Sequence, residues 1–449
     1  APGRRGAGDG GGGPGGDPPQ RLEGDSKEGV SGTMGQAART YVGLDIGTTK
    51  ISCIIADTGG NGTGELRVVG VGTAPSEGLR RGVVVDLEKT VASIQRAVDE
   101  AERMAGMPVK GVYAGIAGDH IRSINSRGVI AVSRRDNEIG VADVDRVVEA
   151  AKAIAIPMDR EIIHVIPQEY IVDDQDGIKD PVGMSGVRLE AEVHIITGAV
   201  TSAKNICRSI QRANLRVYDL VLQPLASSHA VLGDDERDLG VVLLDIGGGT
   251  TDVAVFHEGS IRHTAIVPFG GANVTSDIAI GLRTPIDKAE AIKIQHGCAL
   301  ASLVPGTETI SVSGVGGRAD REITRHVLAS MIEPRMEEIF VLANKEVKKN
   351  HFAELLGGGV VLTGGTSLMP GVVELAEQVF EMPVRLGAPQ GLGGLSANVA
   401  DPRFSTGVGL VLHAVQAGSG EDGGRERRGV ESRRSSFDPR RWFRQLFYS

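Results

Sequence analysis

The chain has 449 residues, 41% hydrophobic and 23% charged, with a net charge of −9, a composition that suits a folded protein of several domains. No apolar run approaches the roughly 18 residues of a spanning helix, no apolar stretch precedes a cleavage site near the N-terminus, and Cys53, Cys207 and Cys298 lack metal spacing. These features argue against an integral membrane protein, a secreted one and a disulfide framework, and for reduced thiols in the cytoplasm. The charge is unevenly placed: residues 1–39 balance to zero, residues 417–449 carry +3, and the body between them holds about −12. So acidic a body argues against nucleic acid as a partner.

Residues 1–33 are Gly-rich without apolar periodicity, and we expect a disordered extension over 1–39, with Met34 standing just before the first strand. From there strands and helices alternate. Val42–Ile46 and Lys50–Ala56 are expected strands joined by the tight turn Gly47-Thr48-Thr49, and Glu65–Gly72 is a third. Asp86–Met104 carries Val91, Ile94, Val98 and Ala101 on one helical face, and 108–117 is a further strand. Between 117 and 195 the pattern changes to short strands around one helix at Ala142–Ala155, which suggests an insertion with its own core. Ser202–Asn214 and Pro224–Leu232 are expected helices flanking a strand at Val217–Val221. The pattern then restarts with strands at Gly240–Ile246, Thr251–His257 and Ser260–Pro268. Helices follow near 272–283 and 286–295, with a long one at 320–349. A strand at Gly359–Thr363 opens a Gly-rich turn before the helix Gly371–Phe380, and 417–436 has the composition of a flexible linker.

One internal repeat carries chemistry. Gly43-Leu44-Asp45-Ile46-Gly47-Thr48-Thr49 recurs as Leu244-Asp245-Ile246-Gly247-Gly248-Gly249-Thr250-Thr251-Asp252, with Asp45 and Asp245 200 residues apart, which suggests two similar lobes facing each other. Glycines let backbone N–H groups close on phosphate oxygens, the threonines add donors, and Lys50 can reach a phosphate as a point charge. An Asp at the strand end suits a hydrated Mg²⁺. A third loop, Gly364-Gly365-Thr366-Ser367, follows another strand and suits contacts to a nucleotide base and ribose.

These three motifs resemble the phosphate-1, phosphate-2 and adenosine motifs of the actin/Hsp70/sugar-kinase ATPases. Within that superfamily the chain is similar to the FtsA family of bacterial division proteins. The stretches His164-Val-Ile-Pro-Gln-Glu-Tyr170, Gly177-Ile-Lys-Asp-Pro-Val-Gly-Met-Ser-Gly-Val-Arg188, Asp287-Lys-Ala-Glu-Ala-Ile-Lys-Ile-Gln-His-Gly-Cys-Ala299, Gly314-Val-Gly-Gly-Arg318 and Ile332-Glu-Pro-Arg335 carry the likeness, over roughly 40–415 and the tail. The resemblance implies an α/β fold: an actin-like, two-lobed ATPase with duplicated RNase H-like lobes, a small inserted α+β subdomain and a C-terminal amphipathic helix. The expected parts are a first lobe at 40–116 and 196–235, the insertion at 117–195, a second lobe at 236–416, a linker at 417–436 and the helix at 437–449. It implies ATP and Mg²⁺ as cofactors. Asp45 and Asp245 would face the metal, Gly47, Thr48, Thr49 and Lys50 would hold phosphates from one lobe, and Gly247, Gly248, Gly249 and Thr250 from the other. Lys293 and Gly364, Gly365, Thr366 and Ser367 would surround the adenosine. Gln223 would orient the attacking water; having no useful basicity, it implies slow hydrolysis at best. Arg318, Glu333 and Arg335 would receive the acidic tail of FtsZ, and the insertion would serve later division proteins. His164 is read as strand-end structure rather than as catalytic.

The tail can be argued from its residues alone. Five of the 15 aromatics lie in the last 13 residues, and on a helical wheel Trp442, Phe443, Leu446 and Phe447 fall within about 140° while Arg441 and Arg444 point away. Asp438 can cap such a helix and Pro439 suits its first turn. This is the composition of an interfacial helix on anionic lipid, a weak anchor that gains from polymerisation. The expected function is therefore a polymerising, ATP-binding division protein that tethers FtsZ to the cytoplasmic face of the membrane at the septum. The alternatives are a sugar or metabolite kinase, for which no general base can be assigned, and a pilus-assembly type of actin-like ATPase. A chaperone of the same superfamily would need a further domain after Gly418.

Overall fold

The computed structural model describes residues 39–59, 66–133, 136–314 and 319–418, together with the backbone at 421–422. The expected extension over 1–39, but for Arg39, which opens the first strand, nearly all of the linker and the terminal helix lie outside the described residues.

The first lobe opens with β1 (Arg39–Ile46), β2 (Lys50–Asp57) and β3 (Arg67–Pro75), a small hairpin of β4 (Leu79–Arg80) and β5 (Val83–Val84), helix α1 (Leu87–Ala105) and β6 (Gly111–Ile116). Helix α1 starts where the Asp86 side chain accepts the Lys89 N–H and stops at Gly106, which takes a left-handed φ of 69°. It buries Val91, Ile94, Ala97, Val98 and Ala101, the stripe legible in the sequence. After an insertion the lobe resumes with α3 (Val200–Arg212), β11 (Arg216–Leu222) and α4 (Gln223–Val231), and a short helix α5 (Asp234–Leu239) leads out. The insertion is an antiparallel sheet of β7 (Arg122–Ala131), β8 (Arg160–Val172), β9 (Gln175–Ile178) and β10 (Arg188–Ala199), ordered β7-β10-β8-β9, with helix α2 (Val141–Ala151). It has a separate core built on Val144, Val147, Tyr170, Leu189 and Ile195.

The second lobe contains β12 (Val241–Ile246), β13 (Thr251–His257), β14 (Ser260–Val267), α6 (Gly271–Leu282), α7 (Ile286–His296), the hairpin β15 (Thr309–Val312) and β16 (Arg321–Thr324), α8 (Arg325–Lys348), β17 (Val360–Thr363), α9 (Val372–Phe380) and β18 (Val384–Leu386). Strand β19 (Gly393–Gly394) returns to the edge of the first sheet, and α10 (Ser405–Gln416) follows. The two large sheets repeat one plan. In the first, β3-β2-β1 is an antiparallel meander extended by parallel β6 and β11; in the second, β14-β13-β12 is extended by parallel β17 and β18. This is the two-lobed α/β fold that the repeated motif implied.

Helices α4 and α10 fill the middle of the molecule, and their approach is close enough to fix residue choice. A Cβ on Gly409 would lie 1.8 Å from the Ala226 carbonyl oxygen of α4, and one on Gly43 of β1 would lie 2.5 Å from the Gly407 oxygen. Helix α10 was not visible in the sequence because it is buried nearly all round and so shows no polar face, and two glycines dilute its helix signal. The expected helix at 320–349 begins instead at Arg325. Residues 321–324 pair with β15, and the Thr324 side chain caps the new start by accepting the Val327 N–H at 3.4 Å. The helix expected at Ala142–Ala155 ends at Ala151.

Replacing Gly409 by Ala should lower stability by about 2 kcal/mol or more, because the added methyl meets backbone that cannot rotate away. Gly306, with open space at its Cβ position, serves as the control, and its Ala variant should stay within about 0.5 kcal/mol of the parent. Thermal unfolding followed by circular dichroism checks both; equal midpoints for the two variants would contradict the packing described.

Candidate functional site

Each large sheet sends its first strand into the same turn. After β1 the Gly47 N–H donates to the Lys50 oxygen at 3.0 Å, and after β12 the Gly247 N–H donates to the Thr250 oxygen at 3.0 Å. The two turns meet at the seam between the lobes. A Cβ on Gly248 would stand 2.2 Å from Thr49 Cγ2, and one on Gly249 would stand 2.6 Å from Thr48 Oγ1, so only glycine leaves room for the threonines opposite. The start of α6 joins them, with Gly271 and Ala272 N–H groups donating to the Gly247 and Gly248 oxygens at 3.0 and 2.8 Å.

The third loop closes on the same place. Gly364 follows β17 with a φ of 86°, and a Cβ there would lie 2.4 Å from Asp245 Oδ1. Thr366 Oγ1 donates to the Gly247 oxygen at 3.0 Å, Ser367 Oγ turns back to the Gly364 oxygen at 2.7 Å, and Gly365 lies beside Arg403. From α7, Lys293 Nζ donates to the Gly271 oxygen at 3.1 Å, Thr275 Oγ1 at 3.0 Å and Glu290 Oε2 at 2.7 Å.

Three buried carboxylates stand behind the turns. Asp45 Oδ1 accepts from Gln223 Nε2 at 3.0 Å, Gln223 being the first residue of α4. Burial pushes the Asp45 carboxyl up to about 7, with Lys50 opposing and Asp245 adding to the rise. Asp245 Oδ2 accepts from Ser227 Oγ at 2.7 Å and from Thr406 Oγ1 at 3.2 Å; burial raises its carboxyl and the two hydroxyls and Lys50 offset part of that rise. Asp252 lies directly across from Asp245 in the β12–β13 register, and its Oδ1 has no hydrogen-bond partner. Burial, Asp245 and Asp45, in that order, push its carboxyl well above the usual range. The nearby cation is committed elsewhere, since Lys50 Nζ donates to the Arg403 oxygen at 2.7 Å and stands 3.9 Å over the Phe404 ring. Such a seam gathers three buried carboxyls, one with an orphaned oxygen, that burial holds toward the neutral form and that a cation would let ionise. Among the described residues no three His, Cys, Asp or Glu side chains converge closely enough to hold a metal by themselves.

The structure thus gathers Asp45, Gln223, Asp245, Lys293 and the three loops into one seam. The other expected site residues lie apart. Arg318 and the tail residues Arg441, Trp442, Phe443, Arg444, Leu446 and Phe447 fall outside the described residues. On α8, Glu333 Oε2 accepts the Ala301 N–H at 2.7 Å, and Arg335 pairs with Asp277 at 2.6 and 3.2 Å, pairs with Glu338, and lies 5.5 Å from the Phe269 ring. Sequence reasoning missed roles for Asp252, Ser227, Thr406 and Phe404. Only Asp252 had a local signal, as the last residue of the second motif. His164, read as strand-end structure, lies within a strand and holds a backbone group of the first lobe. On β8, His164 Nε2 accepts the Leu222 N–H at 3.0 Å, one residue before Gln223, so its proton sits on Nδ1. Burial pushes its imidazole down to about 4.

Comparison with known proteins places the chain. The family described as "Cell division protein FtsA" matches residues 242–409, and the one described as "SHS2 domain inserted in FTSA" matches residues 118–197. The cell division protein FtsA of Pseudomonas aeruginosa is 51% identical over 381 residues, covering 85% of this chain and 90% of that protein. That of Escherichia coli K12 is 42% identical over 386 residues, covering 84% and 91%. By shape, a chain of the PilM-PilN type IV pilus biogenesis complex superposes with a TM-score of 0.61 at 15% identity, over 84% of this chain and 98% of that one, a likeness of fold.

The His164 environment has a consequence for acid stability. Its folded value near 4 lies below the unfolded value of about 6.5, so the unfolded chain binds more protons within that window. Its contribution is therefore complete above about 6.5 and is lost as pH falls toward 4. Urea unfolding across this range should show the parent losing stability more steeply than the His164→Gln variant, by on the order of 1 kcal/mol. Parallel pH profiles for the two proteins would refute it.

Proposed function

The chain belongs to the FtsA family of cell division proteins, and from that premise we propose that it binds Mg-ATP in the seam between its lobes. We propose further that it polymerises and tethers FtsZ filaments to the cytoplasmic face of the membrane at the division septum. The observation that carries the nucleotide site is the meeting of two strand–Asp–Gly turns, closed by the same hydrogen bond, over buried carboxylates.

On this reading Gly47, Thr48, Thr49 and Lys50 hold phosphates from the first lobe, and Gly247, Gly248, Gly249 and Thr250 from the second. Asp45 and Asp245 face the hydrated Mg²⁺, with Asp252 behind Asp245 adding negative charge. The ion supplies neutralisation of phosphate charge. Ser227 and Thr406 hold the Asp245 carboxylate in place by donating to one of its oxygens. Gln223, already hydrogen-bonded to Asp45, can orient a water but takes no proton from it, so hydrolysis is slow. Lys293, held on the Gly271 oxygen, and Gly364–Ser367, joined to the Gly247 oxygen through Thr366, meet the adenosine. ATP then serves as a clamp between lobes, fixing the shape that polymerises.

Arg318, Glu333 and Arg335 form part of the surface for the FtsZ tail. An acidic peptide is suited to compete with Asp277 and Glu338 for Arg335, whose two present partners are also carboxylates. The inserted subdomain receives later division proteins. Among the described residues no helix is long and apolar enough to cross a membrane. The contact with anionic lipid is assigned to the tail, through Trp442, Phe443, Leu446 and Phe447 with Arg441 and Arg444 on the polar face.

Asp245→Ala should weaken Mg-ATP binding at least about thirtyfold by calorimetric titration, since it removes both the carboxylate and the anchor of two hydroxyls. Unchanged affinity would remove the phosphate-loop assignment. Sedimentation with vesicles containing phosphatidylglycerol separates the membrane claim. The full chain should pellet and a chain ending at Gly418 should not; if neither pellets at low salt, the tethering part of the reading falls.

A further inference from the structure

Strand β8 of the insertion touches both lobes at once. On one side His164 accepts the Leu222 N–H of the first lobe, immediately before Gln223. Four residues further on, the buried Gln168 reaches the second lobe, its Nε2 donating to the Ile261 oxygen at 2.7 Å and to the Arg262 oxygen at 3.3 Å. The insertion does not stop there. Asn125 Nδ2 donates to the Arg262 oxygen at 3.2 Å and Ser123 Oγ to the Thr264 oxygen at 2.8 Å. In return Ser260 Oγ donates to the Gln168 oxygen at 3.0 Å. His194, 1% exposed, bridges Asn125 Oδ1 at 2.6 Å and Thr264 Oγ1 at 3.0 Å.

All of these second-lobe contacts fall on β14, the edge strand of its sheet. An edge strand leaves one row of backbone groups without a strand partner, and here side chains of the insertion take them up. The β13–β14 register slips between Val255 and Phe256, opposite Arg262, and the extra residue lets the successive carbonyls of Ile261 and Arg262 meet a single Gln168 amide. Strand β14 in turn pairs through β13 with the glycine turn of the second lobe, Thr251 facing Val267. The three bodies close around a cavity of only about 10 Å³ lined by Ile121, Leu222, Pro224 and Thr264, room for a single water.

We propose that β8 is a clasp between the lobes: His164 and Gln168 set the separation of the two glycine turns, so that the inserted subdomain governs how far the nucleotide seam opens. The clasp itself rests on the contacts just described; its effect on nucleotide rests on the ATP-binding reading above. Both residues are positioning residues, since neither touches the turns. A ligand seated on the subdomain would act on the seam along this one strand.

The test uses the full chain with Gln168→Leu, which removes the donor and keeps the bulk, and the pair His164→Phe and His164→Gln, of which only the second keeps an acceptor. Hydrogen exchange without nucleotide is read at the amides of 47–50 and 247–250, and the release of a fluorescent ATP analogue with Mg²⁺ is read by chase. Gln168→Leu and His164→Phe should speed exchange in both turns and raise the release rate about fivefold, with His164→Gln close to the parent. Should exchange rise in β14 alone and the turns stay as protected as in the parent, the clasp is overturned and the contact is only local packing. If the parent does not retain the analogue, the nucleotide reading falls while hydrogen exchange still decides the clasp. Should Gln168→Leu fail to fold, Asn125→Ala at the exposed rim carries the same two readouts.

Discussion

The arrangement of the whole molecule depends on a contact in which two pieces of chain 200 residues apart leave no space for a side chain between them. Thr48 and Thr49 stand where a methyl group on Gly249 or Gly248 would be. Everything else in the centre follows from that approach. It brings Asp45 and Asp245 to one seam, sets the start of α4 beside both strands, and places α10 so close against α4 and β1 that glycine is needed on both sides of its packing. The duplicated topology supplies two copies of the turn, and the missing Cβ atoms let them touch.

Bringing the strand ends together also concentrates negative charge in a place with little water. The protein moderates this with neutral donors and with the charge of Lys50. Gln223 donates to Asp45, Ser227 and Thr406 donate to Asp245, and Lys50 spends its hydrogen bond on a backbone oxygen near Phe404. Buried carboxylates answered by neutral donors keep raised affinities for protons and for any cation that can reach them, which a fully salt-bridged site would have lost. The pattern is that of a site whose charge is left for a ligand to complete.

The sequence disclosed what is local along the chain and hid what is assembled in space. The strand–Asp–Gly turns, the stripe of α1 and the change of texture at the insertion are patterns within a few residues of one another, and each stands where it was expected. Helix α10 left no stripe because it is covered on nearly every side. Strand β16 was absorbed into the following helix because Arg325 onward is strongly helical and the Thr324 cap is a single residue. Ser227 and Thr406 are ordinary hydroxyls in helices, 18 and 161 residues from Asp245, and no spacing rule joins them. His164 looked like the end of a strand because its partner is a backbone N–H, which has no letter in a sequence. The partner role of Glu333 and Arg335 came only from the family resemblance, and that of the tail only from its composition.

Helix α10 has a mechanical meaning. Its second residue, Thr406, donates to the Asp245 carboxylate, and it ends at Gln416, about 15 Å further on at the usual rise per residue. Along that length it is wedged between α4 and the first sheet without the slack that side chains would provide. A pull applied to Gln416 therefore meets little slack within the helix before it reaches the seam. Tension on that end is delivered along a stiff rod to the oxygen that Thr406 and Ser227 share, which makes the centre of the molecule the first part to feel a load rather than the last.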